Sequence, residues 1–215
     1  MRLPSTLASL LTLLLTSPLQ ISAATAGRSN KRGLVFTPNS THPSDNYIWG
    51  QEPSDLTWYY NYGAKPSPAF SNLTQDRFEF VPMLWGAPTD LSDTSFLTTV
   101  RELVETKGLA ITHVMSFNEP DGPHEWGGSD IEPSIAAKLW ISNIMPLQEM
   151  GLKVGLPAPT GGWGGIPWLN QFLGNCSMMI SSGRNKQNCT YDFVPIHWYG
   201  NFGGLASHIG TYAAA

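Results

Sequence analysis

The sequence predicts an α/β fold, a parallel sheet closed as a (β/α)8 TIM barrel of which about six of the eight β/α units are present. Two observations predict it. Short runs rich in aromatic and β-branched residues recur along the chain, each stopped by Gly or Pro, with helical patterns between them. The turn after the first run is Thr37-Pro38-Asn39, nothing like the Gly-rich phosphate loop that an open doubly wound nucleotide fold wants there. Gly161-Gly162-Trp163-Gly164-Gly165 lacks the P-loop spacing and its lysine, and reads as a flexible loop.

The strands are expected in order. Gly33–Phe36 comes first, then Trp58–Tyr62, stopped by Gly63, and Phe78–Trp85, stopped by Gly86. Ile111–Phe117 follows, stopped by Pro120, then Lys153–Leu156 before Pro157, then Tyr191–Trp198 before Gly200. Connections after the first two strands hold only short helices. After the third, Ser92 or Asp93 caps a helix whose apolar positions Phe96, Leu97, Val100, Leu103 and Val104 recur at spacings of three and four, ended by Gly108. After the fourth, Pro133 suits a first turn, and Ile135, Leu139, Ile144 and Leu147 follow, with a kink or split at Pro146. Trp168, Leu169, Phe172 and Leu173 form a shorter amphipathic stretch after the fifth. The seventh and eighth strands are expected to lie beyond Ala215.

Residues 1–24 read as a secretory signal: Met1-Arg2, a leucine-rich apolar run over Leu7–Leu15, then small residues before a cleavage site near Ala24 or Ala26. The run is too short for a membrane span of about 20 residues. Residues 25–32 form a short linker or pro-segment, with a dibasic pair at Lys31-Arg32, and 33–215 form the partial barrel. The expected product is therefore secreted, extracellular or in a cell wall, free of the membrane after cleavage, and monomeric. Asn-x-Ser/Thr sequons begin at Asn39, Asn72, Asn175 and Asn188. Cys176 and Cys189 lie in a stretch that reads as a loop, and an oxidising compartment favours their disulfide over two free thiols. A formal net charge of −4 with 13% charged residues excludes a basic nucleic-acid surface. His42, His113, His124 and His208 show no metal-ligand spacing, and no metal or cofactor is expected.

A barrel places its site at the C-terminal strand ends. Those ends offer Trp85, Asn118-Glu119-Pro120-Asp121, and His197-Trp198-Tyr199. Glycoside hydrolysis needs two carboxyl groups flanking the scissile bond. Glu119 is placed to be the acid/base and Asn118 to hold a sugar hydroxyl. Trp85 and Trp198 are either sugar platforms or barrel packing. His197 and Tyr199 are read as hydrogen-bond donors to substrate, with a satisfied buried histidine as the bland alternative at 197. Glu125 and Asp130 read as residues of a solvated loop.

Four segments carry a resemblance: Ser116–Asp121, Pro133–Trp140, Leu156–Pro159 and Asp192–Gly200. In that order they resemble glycoside hydrolase family 128, the family of the fungal alkali-sensitive linkage protein catalytic domain. Trp58–Gly63 and Met83–Trp85 are also similar to it, and the likeness runs over about residues 33–212. The resemblance implies a (β/α)8 barrel, a retaining mechanism and endo-β-1,3-glucanase activity on cell-wall β-glucan, with Glu119 as acid/base. It also implies a nucleophile glutamate at the end of a seventh strand, after this sequence stops. Neither Glu125 nor Glu132 is assigned that role, and the 215-residue chain is expected to be inactive by itself. The alternative is a non-catalytic β-glucan-binding cell-wall protein.

Overall fold

The computed structural model describes residues 31–215. The expected signal segment and most of the expected linker lie outside the described residues. Among the described residues five strands are formed: β1 Gly33–Val35, β2 Trp58–Tyr60, β3 Glu79–Phe80, β4 His113–Val114 and β5 Lys153–Val154. β1, β2 and β3 pair in parallel in chain order, and β4 pairs in parallel with β5. Parallel bridges join the two groups at Met83–Met115, prolong β4–β5 at Asn118–Ala158, and attach a sixth segment at Gly155–Phe193. Every spatial neighbour is therefore the next in sequence, the order that repeated βα units produce. The fold class is α/β, as expected. Among the described residues no pairing runs from the sixth segment back to β1.

The ladders are shorter than the sequence suggests, and prolines are one cause. Pro82 has no N–H to give, so the third run stops as a ladder at Phe80 and resumes at Met83. The sixth run, expected as a strand over Tyr191–Trp198, is held by one bridge. Pro195 removes a donor there. Asp192 adds a second cause, because its Oδ2 accepts the Val154 N–H at 2.8 Å in place of a carbonyl.

Helices α1 Ser95–Arg101, α2 Pro133–Leu139, α3 Met145–Glu149, α4 Gly165–Ile180 and α5 Phe202–Ala214 complete the fold. α1 widens into a π turn at Glu102–Thr106 and stops before Gly108, whose φ of +65° ends the helix as expected. Its start differs by one or two residues: Thr94 is the cap residue, and Asp93 takes the Ser95 N–H at 2.6 Å. The expected split at Pro146 takes the form of a π turn, Trp140–Ile144, between α2 and α3. The wider turn accommodates a ring that would otherwise strike the preceding carbonyl. The connections after β1 and β2 hold only short 3₁₀ turns at Pro43–Gly50 and Pro68–Phe70.

Two expectations need correction. The amphipathic stretch read at Trp168–Leu173 extends to Ile180, and Cys176 belongs to this helix, not to a loop. Trp168, Leu169, Phe172 and Cys176 make one buried stripe along it, and Cys176 is bonded to Cys189. The glycine run at 161–165 is not wholly loop either, because buried Gly165 opens α4. The core lies between the sheet and α1 to α4. There Trp140 meets Phe172 edge-to-face at 5.5 Å, and Trp168 stacks on the same ring at 5.7 Å. Beneath β1 to β3, Tyr59, Phe70, Phe78 and Phe80 form a second aromatic knot.

Candidate active site

The ends of β1, β2 and β4, the Trp85 segment and residues 196–199 converge on a cleft of about 590 Å³. Glu119 sits in its wall. The backbone holds it there from both sides: its N–H bonds to the Ala158 carbonyl at 2.7 Å, and its carbonyl accepts from Gly122 at 3.0 Å and Ser129 at 3.2 Å. This tight turn sets Glu119 at a φ of +44°, a left-handed conformation that costs a side-chain-bearing residue about 1–2 kcal/mol. The side chain is 13% exposed, and its Oε1 lies 2.7 Å from His197 Nδ1. The chain thus brings together two residues 78 positions apart.

Asn118 is buried beside it. Its N–H bonds to the Trp85 carbonyl at 2.9 Å, and its Nδ2 donates to the Gly127 carbonyl at 3.1 Å, leaving one side-chain N–H for a ligand. Trp85 forms another wall and stacks against His124, centroids 6.2 Å apart. Trp198 lines the cleft with less freedom than expected: its Nε1 donates to the Asn201 carbonyl at 3.0 Å and its ring lies 5.2 Å from that of His208. Tyr199 is well exposed at the rim. Glu125, Asp130 and Glu132 are exposed and do not line the cleft.

Several lining residues were not anticipated. Tyr60 and Tyr62 meet edge-to-face at 5.2 Å, and Trp126 reaches over the cleft 78% exposed. Burial first, then the neighbouring Tyr62, Tyr199 and Glu119, push the Tyr60 hydroxyl well above its ordinary pKa of 10. The Glu119 carboxylate is the main reason that Tyr199 also titrates above 10. Both phenols therefore stay protonated at neutral pH and can donate to a sugar hydroxyl. Tyr62 adopts a φ of +60°, which lets the chain leave β2 and turn its ring toward the cleft. Periodicity carries no sign of that turn.

The Glu119 turn is tied to the neighbouring loop by Asp121. Its Oδ1 accepts the Thr160 N–H and its Oδ2 the Thr160 hydroxyl, both at 2.7 Å. Thr160→Val removes one charge-assisted bond and should destabilise the fold by about 1.5–3 kcal/mol, while Thr160→Ser should restore most of that; thermal melts of the two variants check it. Elsewhere, among the described residues, no group of three His, Cys, Asp or Glu is placed to hold a metal, and no helix is long and apolar enough to cross a membrane.

A histidine-held carboxyl in an aromatic-walled cleft at the strand ends of an α/β fold supplies one of the two carboxyl groups that a glycosyl hydrolase core uses. The family model described as glycosyl hydrolase catalytic core matches residues 33–215. Alkali-sensitive linkage protein 1 of Schizosaccharomyces pombe is 30% identical over 187 residues, which are 86% of this chain and 29% of that protein. The chain thus spans under a third of that relative's length. Among solved structures, an endo-beta-1,3-glucanase of glycoside hydrolase family 128, subgroup II, from Pseudomonas viridiflava superposes with a TM-score of 0.61 at 23% identity, over 85% of this chain and 66% of that one. A mutant of the subgroup I endo-beta-1,3-glucanase from Amycolatopsis mediterranei, in complex with laminaripentaose, gives 0.55 at 26% identity over 85% and 66%. The chain belongs to the glycosyl hydrolase catalytic core family, and within it to glycoside hydrolase family 128.

Proposed function

We propose that the protein acts on β-1,3-glucan, with Glu119 as the acid/base of a retaining hydrolysis, in a secreted, monomeric (β/α)8 barrel. The observation that carries the reading is the Glu119–His197 pair in a cleft walled by Trp85, Tyr60 and Trp126. His197 engages Oε1, leaving Oε2 to meet the glycosidic oxygen. His197 Nδ1 can donate to the carboxylate or accept from the carboxylic acid, so it steadies Glu119 in both protonation states of an acid/base cycle. The similarity to glucanases in complex with laminari-oligosaccharides supports the substrate class.

Among the described residues that line the cleft, Glu119 is the only carboxylate. A retaining mechanism needs a second, about 5–5.5 Å away. We place that nucleophile outside these 215 residues. The same observation favours a second reading, a β-glucan-binding protein that does not cut.

Azide separates the two. Azide can attack the anomeric carbon where the missing carboxylate would. The C–O bond breaks as Glu119 gives its proton to the departing oxygen, and the product is an α-glycosyl azide. On the hydrolase reading, the chain binds laminari-oligosaccharides, cleaves them negligibly alone, and cleaves them when azide is added. Binding without any azide-dependent cleavage selects the second reading, and no binding at all removes both.

Secretion is supported by the Cys176–Cys189 disulfide. In a eukaryotic secretory host, glycans should be found at Asn39, Asn72 and Asn188, which are exposed, and not at Asn175. Asn175 lies half-buried in α4, and its Nδ2, the atom a glycan would need, donates to the Gln171 carbonyl at 2.8 Å. Peptide mass spectrometry after enzymatic deglycosylation reads each site directly.

A further inference from the structure

The geometry points to an outer glucan platform made by Trp163 and Phe202, beyond the cleft on the Trp198 side. Both rings are strongly exposed, Trp163 at 101% and Phe202 at 83%, and neither lines the cleft. Such exposure of large rings leaves apolar surface in water with no gain to the fold. A floppy loop would explain it, but both backbones are anchored.

Trp163 follows Thr160, which is pinned to Asp121 by two bonds of 2.7 Å. Gly161, between them, lies against the same rim: a Cβ there would come within 3.2 Å of the His197 carbonyl and 3.7 Å of the Trp198 ring. Phe202 opens α5 directly after Asn201, whose side chain accepts the Gly204 N–H at 2.8 Å and whose carbonyl accepts Trp198 Nε1. A Cβ on Gly204 would fall 2.3 Å from the Trp198 ring. Trp198 is thus the common neighbour of the two segments that present these rings, and the same indole lines the cleft.

Both ring-bearing segments therefore adjoin Trp198, which is itself a wall of the cleft. The occupant is the extension of a glucan chain already seated there, since sugar rings present apolar C–H faces to aromatic faces. This rests on the glucan reading above. It adds that affinity depends on chain length, and that this dependence resides in Trp163 and Phe202.

The test compares laminaritriose with laminarihexaose by calorimetry on the 215-residue chain and on Trp163→Ala, Phe202→Ala and the double variant. The expected result is a Kd for the hexasaccharide weakened on the order of fivefold per ring, with the trisaccharide Kd moved less than about twofold. Unchanged melting temperatures accompany it, because neither ring packs on the core. An unchanged hexasaccharide Kd in the double variant overturns the proposal, and so does an equal loss for both ligands. A parent chain that binds neither length sinks the glucan reading itself, whereas tight binding of both lengths without dependence on these rings sinks only the platform.

Discussion

Glu119→Gln is expected to reduce azide-dependent cleavage of laminari-oligosaccharides by roughly 10²–10⁴-fold while leaving their Kd within about threefold. Glutamine keeps the shape of the side chain and an oxygen that can accept from His197 Nδ1, so the wall of the cleft should survive. What it lacks is a proton to give to the departing oxygen. The split between rate and affinity is what identifies an acid, since a residue needed only for binding would lose both together. Measuring both on one preparation decides it, and a parallel loss of binding would recast Glu119 as a ligand contact.

Gly128→Ala should be among the most damaging small substitutions in the chain. The Glu119–Ser129 loop folds back on itself, with Gly128 donating to the Pro123 carbonyl and Ser129 to those of Asn118 and Glu119. A Cβ at 128 would lie 2.2 Å from the Gly122 carbonyl oxygen and 2.8 Å from that of Glu119. These are backbone atoms, so no side chain can swing away, and the loop must open. A loss of about 3 kcal/mol is expected, a fall of roughly 6–12 °C in melting temperature, accompanied by weaker oligosaccharide binding because Glu119 shifts with the loop. A melting temperature unchanged from the parent would mean that the loop is not closed in this way.

Much of this arrangement can be read from the sequence. Alternating runs of Tyr, Phe and Val bounded by Gly and Pro mark the strands, since both their composition and their stops are local properties. Asn118, Glu119, Trp85 and His197 are legible because parallel strands followed by helices put all C-terminal ends on one side. The pairing of Glu119 with His197 is not, as it depends on how far two distant turns project. Trp126 and Tyr62 escape for a related reason: one rides on a 3₁₀ turn ended by Gly127 at a φ of +88°, the other on a left-handed residue, and neither conformation leaves a periodic trace. α5 escapes because Phe202–Ala214 buries no residue fully, so its apolar positions mark no face. Pro195 illustrates the opposite error, where a run with strand composition contains a residue that cannot donate to the ladder.

With Glu119 as the proposed acid, its left-handed backbone sets stability against activity at a single codon. Glycine would occupy a φ of +44° without the Cβ penalty, so Glu119→Gly should melt higher than Glu119→Ala, and as high as the parent or higher, while retaining no acid at all. Libraries screened for expression or heat resistance alone should therefore enrich glycine at 119 and discard the carboxyl, whereas libraries screened for turnover should restore it at the expense of melting temperature.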